Sequence, residues 1–449
     1  MEYKNGRMDE ARKYLEQSSE TANLVGDEET NADSLHALGL VYDSTDDSDY
    51  SRAENSYIAA RDRYSQMGDP YGFGQSVNDL GGVYMQQGEY SKAEDVYNEG
   101  RDIFFEMGER SGLASFVRAL GDVSYMRGEY SKAEDAYAQA RDICSEIGNW
   151  GNARVSTLRL GDVYLRRREY SRAEEAYTQA RDMCSQKIDP SCLAESVNRL
   201  GDVYQMQCEY SKAESAYVKA REIYSRFGDQ RGVAASISGL GEVYLLQNEY
   251  SKAEEAYTEA RDMYSRIGGR RGVAQSVQRL GEIYYMQSEY IKAENAYTEA
   301  RDIYSQIGDD LCCAELTRQL ELVYLKRTEH SKAEDAHTEA RNTYSRTADQ
   351  LGFARSVMGL GKVCFEQNKY SEAEALFLAV QEIVIQGGDR QLLADVSLAL
   401  GFLREAQARY REAEQFVLEA LPICSELGLE ENVAVCKKLL KEVRRVMEP

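Results

Sequence analysis

The feature that most restricts the folds open to this chain is that it repeats itself every 40 residues. The run Gly201-Asp-Val-Tyr-Gln-Met-Gln-Cys-Glu-Tyr-Ser-Lys-Ala-Glu returns as Gly241-Glu-Val-Tyr-Leu-Leu-Gln-Asn-Glu-Tyr-Ser-Lys-Ala-Glu, and 24 of the 40 positions in 201–240 are identical in 241–280. The leading glycine recurs at Gly81, Gly121, Gly161, Gly201, Gly241, Gly281, Gly361 and Gly401, with Glu321 as the exception. Gly39 lies 42 residues before Gly81, and the two extra residues fall in the acidic turn Ser44–Asp49. A unit of this size cannot bury its apolar faces alone, so its copies must stack and share one core.

Each unit reads as two helices. Val77, Leu80, Gly81 and Tyr84 follow the i, i+3, i+4, i+7 rule of one apolar helical face, and Ala93, Tyr97, Gly100 and Phe104 repeat it in a second helix. The turn between them is Gln87-Gly88-Glu89. Ser91 with Glu94 has the spacing of a capping box, which would close the start of the second helix. Gly68, Gly108, Gly148, Gly228, Gly268 and Gly308 stand where that helix should end in a left-handed cap. Pro70 and Pro190 stand at the start of the next helix, where a missing N–H costs nothing. Only four prolines occur in 449 residues, which suits helix throughout.

These slots resemble the tetratricopeptide pattern, Leu-Gly-x-x-Tyr in a first helix and Ala-x-x-x-Phe/Tyr-x-x-Ala in a second. Leu160, Gly161, Tyr164, Ala173, Tyr177 and Ala180 occupy them at the family spacing. Two departures stand out. The family's first-helix Trp is a small aliphatic such as Val197 or Val277, and its closing Pro is Ser185 or Ser225, so the second helix should run longer. The 40-residue unit resembles Pins-type adaptors and kinesin light chains. The wording Glu-Tyr-Ser-Lys-Ala-Glu-Asp-Ala-Tyr is closer to fungal arrays that often follow a STAND-type NTPase domain. The resemblance implies an all-α fold, a right-handed α-solenoid of stacked antiparallel helix pairs.

The period places ten tandem pairs in 30–428, forming one elongated domain. Residues 1–29 read as a truncated N-terminal half repeat, with a turn at Gly6 and Ala11, Leu15 and Ser18 on a second helix, as in a fragment of a longer protein. Residues 429–449 read as a C-terminal capping helix in which Lys441 and Arg444 replace the Gly and Tyr slots, as at a genuine C-terminus.

The charge balance is 54 basic against 77 acidic side chains, net −23, which argues against a nucleic-acid or anionic-membrane partner. No apolar run is long enough for a membrane span or a secretory signal, so a cytoplasmic protein is expected. Nine cysteines with no C-x-x-C pair read as small buried hydrophobes in a reducing compartment rather than as disulfides or metal ligands. No phosphate loop is present, since Gly359-Leu-Gly-Lys-Val is too short to imitate one. His330 and His337 replace tyrosines of sister units and read as packing residues. The carboxylates recur unit by unit rather than converging, so no enzyme, cofactor or metal site is expected. The repeated Arg101, Arg141, Arg181, Arg221, Arg261, Arg301 and Arg341 read as helix-end charges that pair within the array.

A partner would meet the side of the first helix opposite Leu160, Gly161 and Tyr164, which the resemblance assigns to the concave surface. By helical angle that side holds the slots of Leu158, Asp162 and Leu165, and it carries an acidic ladder, Asp122, Asp162, Asp202, Glu242 and Glu282, ending at Leu322, Lys362 and Phe402. An apolar stripe runs beside it through Leu165, Met206, Leu245, Tyr285, Met286, Leu325 and Phe365. Two uses of the ladder are open. Arg159, Arg199 and Arg279 sit three residues before Asp162, Asp202 and Glu282, as ion pairs require. A groove for an extended peptide carrying basic residues is the other. Changes at ladder and stripe, which point away from the core, are expected to affect stability little. Three roles follow: a non-catalytic protein- or peptide-binding scaffold, the regulatory array of a larger NTPase, or a spacer without a ligand.

Overall fold

The computed structural model describes residues 2–43, 49–184, 190–346 and 349–447, and among them the regular structure is helical throughout. The chain divides into two compact units, Met1–Phe227 and Gly228–Pro449. The first begins with α1 (Glu2–Val25), α2 (Glu28–Asp43) and α3 (Tyr50–Met67), followed by α4 (Pro70–Gln86), α5 (Tyr90–Glu106), α6 (Arg110–Met126) and α7 (Tyr130–Glu146). It continues through α8 (Trp150–Arg166), α9 (Tyr170–Cys184), α10 (Pro190–Met206) and α11 (Tyr210–Phe227). The second holds α12 (Gln230–Leu246), α13 (Tyr250–Arg266), α14 (Arg270–Met286), α15 (Tyr290–Gln306), α16 (Asp310–Lys326) and α17 (His330–Arg346). It ends with α18 (Gln350–Glu366), α19 (Tyr370–Gly387), α20 (Arg390–Ala406), α21 (Tyr410–Glu426) and α22 (Glu430–Met447). Each unit is an all-α solenoid of stacked helix pairs. Even-numbered helices are the first of each pair and odd-numbered ones the second.

The pairing rests on one contact. The ring of Tyr97 on α5 lies where a Cβ of Gly81 on α4 would be, and Tyr137 on Gly121, Tyr177 on Gly161 and Tyr217 on Gly201 repeat the arrangement. In the second unit Tyr257, Tyr297 and Phe377 cover Gly241, Gly281 and Gly361 in the same way. Tyr137, Tyr177 and Tyr217 are almost wholly buried, and an aromatic of that size contributes several kcal/mol of burial. α16 and α17 break the pattern with a matched exchange. Glu321 takes the glycine slot, His337 takes the tyrosine slot, both are buried, and His337 Nε2 lies 2.7 Å from Glu321 Oε1.

Neighbouring pairs are joined by a second repeated contact. The hydroxyls of Tyr84, Tyr164, Tyr204 and Tyr284 donate to Glu54, Glu134, Glu174 and Glu254 of the preceding pair at 2.8–3.1 Å. This overturns the capping-box reading. α5 begins at Tyr90 with Glu89 before it and no side-chain cap, and Glu94 pairs with Arg127 of the next pair while Ser91 accepts from the same guanidinium at 3.0 Å. The carboxylates at this slot are taken up between units, so they cannot also fold back on their own helix start. Side-chain caps occur mainly on the first helices, where Asp69, Asp229, Asp349 and Asp389 accept from backbone N–H groups, and among the described second helices Asp49 caps α3.

Other expectations meet the structure variously. The glycines from Gly68 to Gly308 have φ of 69–74° and close the second helices. α1 runs unbroken through Gly6, where the sequence suggested a turn. The acidic turn Ser44–Asp49 and Ser185 fall largely outside the described residues. Arg101, Arg141, Arg181 and Arg261 pair with the aspartate that follows each of them. Cys144, Cys364, Cys424 and Cys436 are buried as expected, but Cys184 and Cys192 form a disulfide between α9 and α10. The sequence reading excluded that bond because it considered spacing and compartment, whereas the helix joint brings the two Cα atoms to 6.1 Å.

Two stability predictions follow from the joints. Arg404 on α20 occupies the Tyr84-type slot and makes two 2.7 Å bonds to Glu374, whose carboxyl is held below its ordinary range chiefly by that guanidinium. A lowered carboxylate pKa stabilises the fold above the unfolded value near 4.3 and the contribution is lost as pH falls through the folded value. Glu374→Ala should therefore cost roughly 2 kcal/mol at pH 7 by denaturant titration, since it removes the main partner of a buried guanidinium and leaves it Gln407 and Glu412, and progressively less below about pH 4. Thr328 closes the α16–α17 turn at φ 58°, where its sisters Gly88 and Gly128 have φ of 74° and 76°. Thr328→Gly should raise stability by about 1 kcal/mol, read as a higher melting temperature.

Candidate peptide-binding face

Within each unit, contacts between second-neighbour helices join first helix to first helix, as in α4–α6, α6–α8, α16–α18 and α18–α20. The first helices thus line the closely spaced side, and their outward slots carry the predicted ladder and stripe.

The structure gathers the ladder into a chain of shared bonds. Tyr137, Tyr177 and Tyr217 each donate a hydroxyl proton to Asp122, Asp162 and Asp202 at 2.7 Å, and Tyr257 donates to Glu242 at 2.6 Å. These are the tyrosines that cover the glycines, so each carboxylate is fixed from the core side. From the other side each arginine spans two rungs. Arg159 lies 3.6 Å from Asp122 and 3.4 Å from Asp162, and Arg199 lies 4.0 Å from Asp162 and 3.7 Å from Asp202. In the second unit Arg279 lies 3.3 Å from Glu242 and 2.8 Å from Glu282. Both readings of the ladder thus have a physical basis: the carboxylates pair internally, and all five remain half-buried with one edge open to solvent.

The electrostatics follow from this crowding. Tyr137, Tyr177 and Tyr257 are pushed well above the ordinary phenol range, first by burial and then by the carboxylate each one faces. Arg159, Arg199 and Arg279 are raised despite burial because of the flanking acids. Asp202 is raised by desolvation against the pull of Tyr217 and Arg199, although 31% of its side-chain surface remains exposed.

The stripe is less uniform. Met206 and Met286 are about half exposed, and Met126 and Leu246 occupy the same slot with similar exposure. Leu165, Tyr285, Leu325 and Phe365 are half-buried. Leu245 is 5% exposed and packs with Ala253, Tyr257 and Leu280, so it belongs to the core. Leu158, placed on the solvent side by the helical angle, is also buried, against Tyr177 and Leu200. In both cases the following pair covers a slot that a single helix would leave open. The expectation that these slots are energetically idle fails for the acids, because their oxygens are the acceptors for otherwise buried hydroxyls.

The far end of the ladder in the second unit forms a cleft of about 350 Å³. Leu322 and Lys362 line it, as the ladder's extension implied, together with Arg355, Met358, Leu392 and Asp395, which the sequence reading did not single out. The signal for them was present: three successive first helices depart here from the acidic consensus.

The tetratricopeptide repeat family model matches residues 74–144, 111–186, 192–266, 273–346 and 353–426, and the chain belongs to the tetratricopeptide repeat family. A search of curated proteins finds no match. Among solved structures the chain is similar to a Signal Transduction ATPase with Numerous Domains (STAND) protein with a tetratricopeptide repeat sensor from Pyrococcus horikoshii. That similarity has 14% identity and a TM-score of 0.57, covering 85% of this chain and 55% of that one. It is also similar to the apo form of RapI, with 14% identity and a TM-score of 0.53, covering 75% of this chain and 98% of that one. At these identities the similarities establish the fold. No helix of the described residues is long and apolar enough to cross a membrane.

The raised Asp202 pKa gives a prediction with a definite sign. A carboxyl whose folded pKa lies above its unfolded value contributes stability at low pH and loses it as pH rises through the folded value. Asp202→Asn keeps an acceptor for Tyr217 and removes that cost. It should melt no lower than the parent at pH 7, with the difference disappearing below about pH 4. A clearly lower melting temperature at pH 7 would mean that the Arg199 pairing outweighs desolvation.

Proposed function

We propose that the chain is a non-catalytic binding scaffold of the cytoplasm whose first-helix faces hold an extended protein segment carrying basic and apolar residues. The observation that carries this reading is a spacing. Asp122 with Met126, Asp202 with Met206, Glu242 with Leu246 and Glu282 with Met286 each set a half-exposed carboxylate four residues, one helical turn, before an exposed flexible apolar side chain. A ligand lying across successive first helices of one unit meets acid and apolar surface alternately. Long unbranched thioethers adapt to varied partners, and the net charge of −23 draws cationic segments toward the face. The fold itself is that of a scaffold family, and the carboxylates form a repeated series rather than one reactive constellation.

A second reading, a sensor array attached to a STAND-type NTPase, draws support from the fold similarity to the P. horikoshii protein over 85% of this chain. Genomic sequence upstream of Met1 discriminates: an in-frame phosphate loop favours it.

The test uses a displayed library of 12-residue peptides and fluorescence anisotropy on the selected sequences. Selected peptides should alternate Lys or Arg with apolar residues. Asp162→Asn with Asp202→Asn, which preserves acceptors for Tyr177 and Tyr217, should weaken binding roughly five- to tenfold at low salt and much less at high salt. Leu165→Ala with Met206→Ala should weaken it at both. Binding that survives both pairs of changes but is abolished by changes on the second-helix side would overturn the proposal.

A further inference from the structure

The joint between α9 and α10 differs from its sisters at both partners. At four other joints the last buried aromatic of a second helix lies over a glycine of the next first helix. A Cβ added at Gly72 would overlap the Tyr64 ring, and Phe104 with Gly112, Tyr264 with Gly272 and Tyr344 with Gly352 repeat the contact. These are the slots of Cys184 and Cys192, eight residues apart, and at this joint the ring and the glycine have been exchanged for two bonded sulfurs. The remaining thiols lack this arrangement: Cys144 shares its joint with Asn152, and Cys312 shares its joint with Tyr304. The neighbouring buried thiols Cys424 and Cys436 are both free.

We infer that Cys184 and Cys192 form a reversible redox site, a staple that replaces the aromatic joint and is opened by dithiol reductants. Cys184 is half-buried whereas Cys192 is 5% exposed, so an incoming thiolate reaches Cys184 Sγ first. That attack forms a mixed disulfide at Cys184, breaks the Cys184–Cys192 bond and releases Cys192 as a thiolate, which takes up a proton. The second thiol of the reductant then displaces Cys184. The products are two protein thiols and one oxidised dithiol, so two electrons and two protons have entered the protein. A low-molecular-weight disulfide reverses the sequence. Cys184 Sγ lies 3.2 Å from the Ala180 carbonyl oxygen, so a thiol formed there on opening has an acceptor within reach. In a reducing compartment a disulfide is a transient, sensing element rather than a permanent one.

The staple has a mechanical consequence. α10 carries Arg199, Asp202 and Met206, and Arg199 bridges back to Asp162 on α8. With the aromatic ring absent, the disulfide replaces the missing packing that holds α10 against α9. Reduction should therefore loosen α10 and uncouple Asp202 and Met206 from Asp162 and Leu165. The effect on ligand binding rests on the peptide-face reading above, whereas the redox site does not.

The test takes the full chain equilibrated with oxidised or reduced dithiothreitol, then denatured and alkylated with N-ethylmaleimide. Intact mass should show seven adducts in the oxidised sample and nine in the reduced one, with a peptide map assigning the missing pair to Cys184 and Cys192. Hydrogen exchange in α9 and α10 should quicken about 10- to 100-fold on reduction, while other helices stay unchanged. Cys184→Tyr with Cys192→Gly, which restores the sister joint, should fold, show seven thiols under both conditions and exchange identically in both. Nine adducts in the oxidised sample, a cross-link between other cysteines, or equal exchange in α9 and α10 in both states would overturn the proposal. If thiol count and exchange respond but the affinity of a selected peptide does not, the staple stands and its link to the peptide face fails.

Discussion

The contact on which the rest of the structure depends is an aromatic ring resting on a glycine. Because Gly121, Gly161 and Gly201 lack a Cβ, the first and second helices of each pair approach closely enough for a tyrosine to fill the space and be sealed from water. The ring is long enough for its hydroxyl to emerge on the far side of the first helix, where it finds Asp122, Asp162 or Asp202. One side chain therefore belongs to the core and to the ladder at once. At these pairs the carboxylate is an acceptor for a buried phenol as well as a surface charge, whereas the same slot before Tyr97 is Gly82.

The same coupling shapes what the face can do. Each arginine is shared between two acids, so a cationic ligand competes with Arg159, Arg199 or Arg279 for oxygens already engaged. Pairs this exposed contribute little affinity and act mainly through the rate of encounter. In the proposed complex the larger share of binding energy would come from apolar surface, and Met126, Met206, Leu246 and Met286 are the exposed side chains beside the acids. Leu245, one residue from an exposed leucine, contributes to the core instead.

Three departures from the repeat each keep a complete contact. Glu321 and His337 replace glycine and tyrosine 16 residues apart and meet each other. Arg404 replaces a tyrosine and keeps its glutamate partner, Glu374. Cys184 and Cys192 replace an aromatic and a glycine and bond covalently. Each exchange swaps one complete contact for another, as close packing and the cost of an unpaired buried group demand.

The sequence by itself determined the helix pairs, their period, their core slots and the position of the ladder, because each of these is a matter of spacing along a chain of nearly identical units. The i, i+3 pairs of Arg159, Arg199 and Arg279 were legible for the same reason. What lay between units was not. The capping box at Ser91 failed because Glu94 faces the next pair, and Leu158 and Leu245 were misplaced because the following helices cover them. The partnership of Glu321 with His337 and the bond between Cys184 and Cys192 also needed the fold. Helical angle and local spacing describe one helix and its own surface. Which slots are covered, and which side chain waits on the other side, is decided only when the next pair packs against it.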